Sequence, residues 1–296
     1  MNIESKNVLI TGVTGTLGER VAKSFISKGA NVRGLIRNEK DADKFLKYGM
    51  NTVVGDLSDV HSIIEATKHV DIVIHCAAYL GDDRENAVLS NVVGVDHLAQ
   101  SALKAGVKKF IHISSISVYG EPEEGSYDES SPLCDAHNEI YVETKVKSER
   151  ILYKYLSKGL DVMILRPGAI CAEENSYWGD RQIYRMIETE TVDWVHTEDV
   201  ISWVHADNLV EMIHLVLLNG TKGQAYNAID GNFDEKDFRM KFIKALNKKY
   251  KRPNRNIERP IYSNAKIKEI GYVPVKTFAD TISNLEKMAI SRKSNH

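Results

Sequence analysis

The chain has 296 residues, of which 43% are hydrophobic and 27% charged, and its 39 Lys and Arg against 41 Asp and Glu leave a formal net charge of −2. That balance argues against a basic nucleic-acid or membrane-surface binder. It fits one large α/β domain, or a large domain with a smaller lobe. Three cysteines, Cys76, Cys134 and Cys171, form no Cys-x-x-Cys and no even set for a disulfide framework, which points to a reducing compartment. The polar start reads as leaving no room for a signal peptide, and no apolar run reaches the length of a bilayer span, so a cytoplasmic enzyme is expected.

Residues 7–10 (NVLI) open an apolar run that reads as a buried strand. Gly12, Gly15 and Gly18 follow, with Thr14, Thr16 and Leu17 between them, and residues 20–28 then place Val21, Ala22, Phe25 and Ile26 at helical spacing. Strand, glycine turn and helix in that order make a dinucleotide cradle. Glycine lets the backbone approach a pyrophosphate, and the first helical N–H groups face the anion. The alternative is an ordinary tight turn without a ligand. Residues 31–36 read as a second strand ending at Arg37. In a dinucleotide fold that end meets the adenosine ribose, where an acidic residue selects NAD and an Arg accommodates the 2′-phosphate. Arg37, with Ile36 in place of a carboxylate and Lys40 nearby, points to NADP. NAD remains the alternative if Arg37 merely starts an exposed loop.

Residues 51–54 read as a third strand, followed by Gly55, Asp56 and Leu57. A short amphipathic helix follows at 59–67, capped by Ser58 or Asp59. Residues 71–75 read as a fourth strand, with Cys76, Ala77 and Ala78 small enough to admit a ligand. A long helix is expected at 84–105, closing at Gly106, and a fifth strand at 109–113. The alternation predicts a parallel, doubly wound sheet with right-handed crossovers and its ligand at the carboxyl ends of the strands. Then come a serine segment at 114–120, an acidic loop at 121–138, a helix at 141–156 and a sixth strand at 161–165. The remainder is less regular: a loop at 173–179, helices at 180–189 and 207–218, extended pieces at 200–205 and 224–229, an amphipathic stretch at 234–248 and a last helix at 277–290. The expected organisation is a dinucleotide-binding domain over 1–166 and a substrate lobe over 167–296, with part of 190–225 returning to the first domain. The basic tail at 291–296 reads as a solvated end.

Tyr141 and Lys145 lie at i and i+4 and so share a helix face. A cation beside a phenol favours the phenolate, so Lys145 is expected to lower the Tyr141 pKa from its reference of about 10 and make Tyr141 an acid/base near neutrality. Tyr262 with Lys266 and Tyr272 with Lys276 match the same spacing, but Pro274 interrupts the second pair and Tyr262 follows a proline-containing turn. Tyr141 opens the helix beside the serine segment. The alternative for it is an exposed i,i+4 pair.

These pieces together resemble an extended short-chain dehydrogenase/reductase of the NAD-dependent epimerase/dehydratase superfamily. The matching motifs are TGVTGTLG at 11–18, GDL at 55–57, HCAA at 75–78, SSISVYG at 114–120, YVETK at 141–145, LRPG at 165–168, WVHADN at 203–208 and QAYN at 224–227. They span nearly the whole chain, nearest in look to the 3β-hydroxysteroid dehydrogenase and dihydroflavonol reductase branch. The resemblance implies a Rossmann sheet with a smaller C-terminal substrate-binding lobe. It also implies that Gly12, Gly15 and Gly18, with Thr14, Thr16 and Leu17, hold the pyrophosphate. Asp56 and Leu57 would meet the adenine, Ala77 and Ala78 the cofactor backbone, and Pro167 and Ile170 the nicotinamide. Tyr141 would be the acid/base and Lys145 would hold the nicotinamide ribose. Ser115, with Ser114 its rival, would bond the reacting oxygen, and Asn91 would support the site or simply mark a helix kink.

Two departures stand out. Cys171, Ala172 and Glu173 replace an aromatic-Gly-Pro turn after Ile170. Ile201 and Ser202 stand where nucleotide-sugar members carry an Arg, leaving Arg181 or Arg185 as anion partners. Trp178, Trp194, Trp203, Tyr177 and Tyr184 form either an apolar substrate pocket or the core of the lobe. The histidines show no metal spacing, and His205 reads as structural. The expected activity is hydride transfer by an NADP(H)-dependent oxidoreductase on a ketone, aldehyde or secondary alcohol. A nucleotide-sugar epimerase or dehydratase using bound NAD(P) is the alternative. A non-catalytic NADP-binding sensor is a further one, against which Tyr141 and Lys145 count. The expected partner is a small molecule, with no nucleic acid or membrane, and the resemblance implies a homodimer formed through the helices bearing Asn91 and Tyr141.

Overall fold

A computed structural model describes residues 3–293; the end of the basic tail, 294–296, lies outside the described residues. The first half runs β1 (Asn7–Thr11), α1 (Thr16–Ser27), β2 (Asn31–Ile36), α2 (Ala42–Leu46), β3 (Asn51–Val54), α3 (Val60–Thr67), β4 (Ile72–His75), α4 (Arg84–Val88), α5 (Gly94–Ala105) and β5 (Lys109–Ile113). It continues with β6 (Ser126–Tyr127), α6 (Ile140–Ser157), β7 (Val162–Pro167), β8 (Ala169–Cys171), α7 (Asp180–Glu188), β9 (Thr191–Val192), β10 (Val200–His205), α8 (Ala206–Asn219) and β11 (Ala225–Ala228). The chain ends with β12 (Gly231–Asp234), α9 (Arg239–Ala245), β13 (Lys249–Tyr250), β14 (Ile261–Tyr262), α10 (Ala265–Glu269) and α11 (Phe278–Lys293).

Seven strands form one sheet in the order β11-β7-β5-β4-β1-β2-β3, parallel at every pairing. The chain winds outward from β1 to β3, then returns to the far side of β1 with β4. The order therefore reverses between β1 and β4, the place where doubly wound sheets open a crevice for a ligand. The central strands β1, β4, β5 and β7 are buried on both faces, as a sheet sandwiched by helices must be, while the edge strand β3 is partly exposed. Val8 and Ile10 of β1 point to a core shared with Val21 and Phe25 of α1 and Met212 and Ile213 of α8. Leu9 points to the opposite core, with Val73, Phe110, Leu98 of α5 and Leu152 of α6.

A smaller three-stranded sheet, β12-β10-β8, carries a separate core built from Ile183, Met186, Trp203, Phe238, Phe242 and Leu285. Two expected elements differ, and one strand pairing was not expected. The long helix at 84–105 is interrupted by a π-helical turn at Leu89–Val93. The amphipathic stretch at 234–248 splits into a 3₁₀ turn at Glu235–Asp237 and the short α9. The stretch at 261–262 pairs with β6, tying the acidic loop to the C-terminal third. Among the described residues no helix is long and apolar enough to cross a membrane.

Candidate active site

The glycine turn leaves β1 at the reversal point. Gly12 takes φ +71°, the left-handed region that favours glycine, and a Cβ there would lie 2.7 Å from the Ala77 nitrogen. Gly18 packs α1 onto the turn: a Cβ would meet the Gly12 carbonyl oxygen at 2.1 Å. Gly15 is different. Its φ of −91° suits any residue, and a Cβ would meet nothing closer than the Gly12 oxygen at 3.4 Å. The protein itself therefore does not demand glycine at Gly15, which lies exposed with Thr14 at the tip. A ligand that must come against the backbone does demand it. Gly15 caps α1 without a side-chain hydrogen bond, leaving the first-turn N–H groups to an anion. The residues present thus fit a dinucleotide pyrophosphate. Ala77 is drawn under the turn by its N–H bond to Thr11 Oγ1 (3.2 Å), with Ala78 beside it.

Arg37 lies exposed just past β2, near enough to Asp56 to help hold that carboxyl below its usual range, although the hydrogen bond from the Ser58 N–H acts more strongly. Asp56 Oδ1 is occupied by Ser58 N–H (2.9 Å) and Oγ (2.7 Å), while Leu57 is buried. Pro167 ends β7 buried, and Ile170 sits half-buried on β8.

Tyr141 and Lys145 stand on the first turns of α6, beside the end of β5. Lys145 is buried; its ammonium donates to the Ile113 carbonyl at 2.8 Å and lies 5.9 Å from the centre of the Tyr141 ring. Burial depresses its pKa to about 8. The expectation that Lys145 lowers the Tyr141 pKa is corrected here. Burial pushes Tyr141 up to about 12, hydrogen bonding with Ser115 opposes the rise and the Glu121 carboxylate adds to it. The desolvation of the phenolate outweighs a cation whose nearest partner is a backbone carbonyl. The phenol therefore holds its proton.

Ser115, not Ser114, faces the tyrosine. Its Oγ accepts from Ser117 N–H (3.1 Å) and Ser117 Oγ (3.0 Å), so both lone pairs are engaged and its own proton is directed toward the tyrosine oxygen. Ser114 is buried, its hydroxyl without a partner among the described residues. Asn91, buried in the π-helical turn, accepts from Tyr79 N–H (2.7 Å) and donates to Tyr79 O (2.9 Å) and Thr144 Oγ1 (3.2 Å). It pins the loop after β4 to the residue beside Lys145. It lies at a π-bulge of the kind often found near functional sites.

The aromatic residues expected over the site are largely occupied elsewhere. Trp203 is fully buried against Phe233 and Phe278, while Trp178 and Trp194 pack on the same core under Arg239 and Arg185. Core packing is what they do, because β10 carries Trp203 inward. The opening beside Tyr141 is polar instead, a cavity of about 450 Å³ lined by Glu121, Ala136, His137, Asn138 and Glu139. Arg181 is bonded to Asn175, and Arg185 lies over Trp194. Arg252, Arg255 and Arg259 pair with Glu198, Asp199 and Asp234. His205 has the structural role expected, bonded to Glu173 at 3.0 Å and capping α8. Tyr262 packs against Tyr119 and Tyr127, and Tyr272 bonds Asp230, so neither shares the site. Two residues escaped the sequence reading: Glu149, which holds Arg166 in a buried bidentate pair (3.0 and 2.7 Å) joining α6 to β7, and His112 on β5. Neither sits in a local motif; each meets its partner only through the packing of α6 on the sheet.

The model of the NAD dependent epimerase/dehydratase family matches residues 8–228. The chain is similar to sterol demethylase protein B of Methylococcus capsulatus, at 34% identity over 168 residues, 55% of this chain and 51% of that protein. It is also similar to a 3-beta-hydroxysteroid dehydrogenase of Mycolicibacterium neoaurum, at 28% over 191 residues, 61% of this chain and 50% of that protein. The chain thus matches about half the length of these relatives. A solved dTDP-glucose 4,6-dehydratase from Streptomyces venezuelae, with NAD and TYD bound, superposes with a TM-score of 0.83 over 97% of this chain and 98% of that one, at 24% identity, a likeness of fold. The glycine turn at a strand-order reversal, the Tyr141–Lys145 helix beside it and the family match over most of the sequence agree: the chain belongs to the NAD dependent epimerase/dehydratase family.

Proposed function

We propose that this protein is an NADP(H)-preferring oxidoreductase that interconverts a carbonyl and the corresponding alcohol, with reduction the direction its resting protonation favours. The observation that carries this reading is the convergence of a proton-bearing phenol, Tyr141, with the hydroxyl of Ser115, whose lone pairs are engaged by Ser117 and whose proton faces the tyrosine oxygen, where a substrate oxygen can take it. When bound, the nicotinamide supplies or accepts the hydride. Tyr141 gives its proton to the oxygen that becomes the alcohol, and Ser115 donates a hydrogen bond that orients that oxygen. Lys145, charged below about pH 8 and with one of its protons on Ile113 O, keeps two for the ribose hydroxyls. Arg37, at the end of β2 where no carboxylate follows Ile36, supports recognition of the 2′-phosphate.

The test is titration with NADPH and NADH, followed by nicotinamide fluorescence, for the parent and Arg37→Ala. Preference for NADPH that disappears in the variant is expected. Preference for NADH, or no effect of the change, would overturn the 2′-phosphate assignment.

The polar cavity beside Tyr141 favours a second reading, a nucleotide-sugar epimerase or dehydratase. Against it stands the pairing of Arg252, Arg255 and Arg259 with carboxylates, which leaves a diphosphate only Arg181, bonded to Asn175, and Arg185, over Trp194, as cationic partners. Cofactor released only on denaturation, together with a rise in melting temperature on adding a nucleoside diphosphate sugar, would decide for it.

A further inference from the structure

Three polar residues stand side by side at the carboxyl end of the sheet, on its α6-facing side. The strand register pairs Thr11 with His75 and His75 with His112, and all three are buried. One residue pair earlier on the same strands the same side carries Leu9, Val73 and Phe110, all apolar. The rung is continuous. Thr11 Oγ1, which holds the Ala77 N–H beneath the glycine turn, lies 2.7 Å from His75 Nδ1. The His75 and His112 rings stack with centroids 5.3 Å apart at 18°. His112 Nε2 lies 3.0 Å from Ser148 Oγ on α6.

The hydrogen-bond directions at the far end are fixed by chemistry. Ser148 Oγ donates to the Lys145 carbonyl oxygen at 2.7 Å, which uses its proton. Toward His112 it can only accept, so His112 carries its proton on Nε2. The next residue along β5, Ile113, accepts from the Lys145 ammonium. Successive residues of one strand thus hold both ends of Lys145, its backbone through Ser148 and its ammonium through a carbonyl. Burial keeps both imidazoles neutral, His75 down at about 3 and His112 well below its ordinary range, so neither competes with the lysine's charge. His75 Nε2 and His112 Nδ1 have no partner among the described residues. Apolar side chains would fill this rung without that desolvation cost, so the imidazoles are not explained by packing alone.

We propose that His112 is a positioning residue for Lys145, acting through Ser148, and that the Thr11–His75–His112 rung ties the glycine turn to the lysine. This rests on the reading above that Lys145 holds the bound cofactor. A long flexible side chain gains from being fixed before the ligand arrives, and a small displacement of α6 would carry Lys145 away from it.

The test is a set of NADPH fluorescence titrations, with melting temperatures alongside, on the parent, Lys145→Ala, Ser148→Ala, His112→Phe and His112→Gln, and on Ser148→Ala and His112→Phe each combined with Lys145→Ala. Ser148→Ala and His112→Phe are expected to weaken NADPH binding about 2- to 10-fold, the size of one neutral hydrogen bond. His112→Gln, whose amide still reaches Ser148 as a donor, is expected to restore it. In the Lys145→Ala background both losses should cease to matter, because the group they position is gone. An equal loss with and without the lysine, or full affinity in both single variants, would overturn the proposal alone. Undiminished NADPH binding by Lys145→Ala would overturn the lysine reading beneath it. Ser148→Ala, a small change, carries the test if His112→Phe does not fold.

Discussion

Replacing each of two glycines by alanine separates the structural from the ligand-binding use of the nucleotide turn. At Gly18 the new Cβ would sit 2.1 Å from the Gly12 oxygen and 2.6 Å from its carbonyl carbon, both backbone atoms of the turn. Overpacking of that kind costs about 1–3 kcal/mol or more. The gain of about 1 kcal/mol in helix propensity offsets only part of it. With roughly 2–4 °C per kcal/mol for a chain of this size, Gly18→Ala should melt several degrees below the parent without any ligand. At Gly15 the backbone is extended and the nearest atom is 3.4 Å away. Gly15→Ala therefore costs only the difference between glycine and alanine as a helix cap, about 0.5–1 kcal/mol. Its melting temperature should fall by about 4 °C at most, while its NADPH affinity falls at least about tenfold, because the methyl group stands where the pyrophosphate must approach the backbone. Thermal unfolding of the ligand-free proteins and NADPH titration read the two effects separately. Parental affinity in Gly15→Ala, or a ligand-free destabilisation equal to that of Gly18→Ala, would refute the reasoning.

Acid should unfold the protein early. His75 is held at about 3 and His214 at about 4 against an unfolded value of about 6.5, so as pH falls below about 6.5 the unfolded chain takes up protons that the folded chain refuses. Stability is therefore lost on going down, by about 1.4 kcal/mol per pH unit for the fully buried His75 and less for the half-buried His214. Urea unfolding at pH 7 and pH 5 should show a loss of roughly 2 kcal/mol or more, and His75→Gln should reduce it. NADPH affinity should weaken as pH rises through about 8, where Lys145 loses its charge, and Lys145→Ala should lose that dependence; this is read by titration from pH 6.5 to 9.5. Arg166→Leu should cost about 3–5 kcal/mol by stranding the buried Glu149 carboxylate, and adding Glu149→Leu should recover much of it, measured by urea unfolding.

The sheet was legible because each strand is a short apolar run punctuated by glycines or small residues, and because the strand–helix alternation permits few topologies. The cradle was legible for the same local reason: Gly12, Gly15 and Gly18 sit within a few residues of one another. What local sequence could not show lay in long-range pairing and burial. β6 meets β14 from more than a hundred positions away, and β8, β10 and β12 assemble from three separate stretches. The i,i+4 spacing of Tyr141 and Lys145 gave their shared face but not the burial that dominates the phenol, so the direction of its pKa came out reversed. Trp203 is open to two readings in the sequence, substrate pocket or lobe core, because an aromatic residue reads the same whether its strand turns inward or out. His112 was passed over because nothing adjacent completes a motif; its partner Ser148 is 36 positions away.

The central claim, that Tyr141 gives the proton that accompanies hydride transfer to a carbonyl, is tested most directly with NADPH carrying deuterium on the transferred position of C4. The purified protein would be incubated with a panel of neutral ketones and aldehydes and the products read by mass spectrometry. The expected product is an alcohol with deuterium on its carbinol carbon, and the Tyr141→Phe variant should bind NADPH as the parent does yet form that alcohol at least about a hundredfold more slowly, on the order expected for losing a positioned general acid. NADPH consumed without deuterium in any product, or undiminished turnover in the Tyr141→Phe variant, would contradict it.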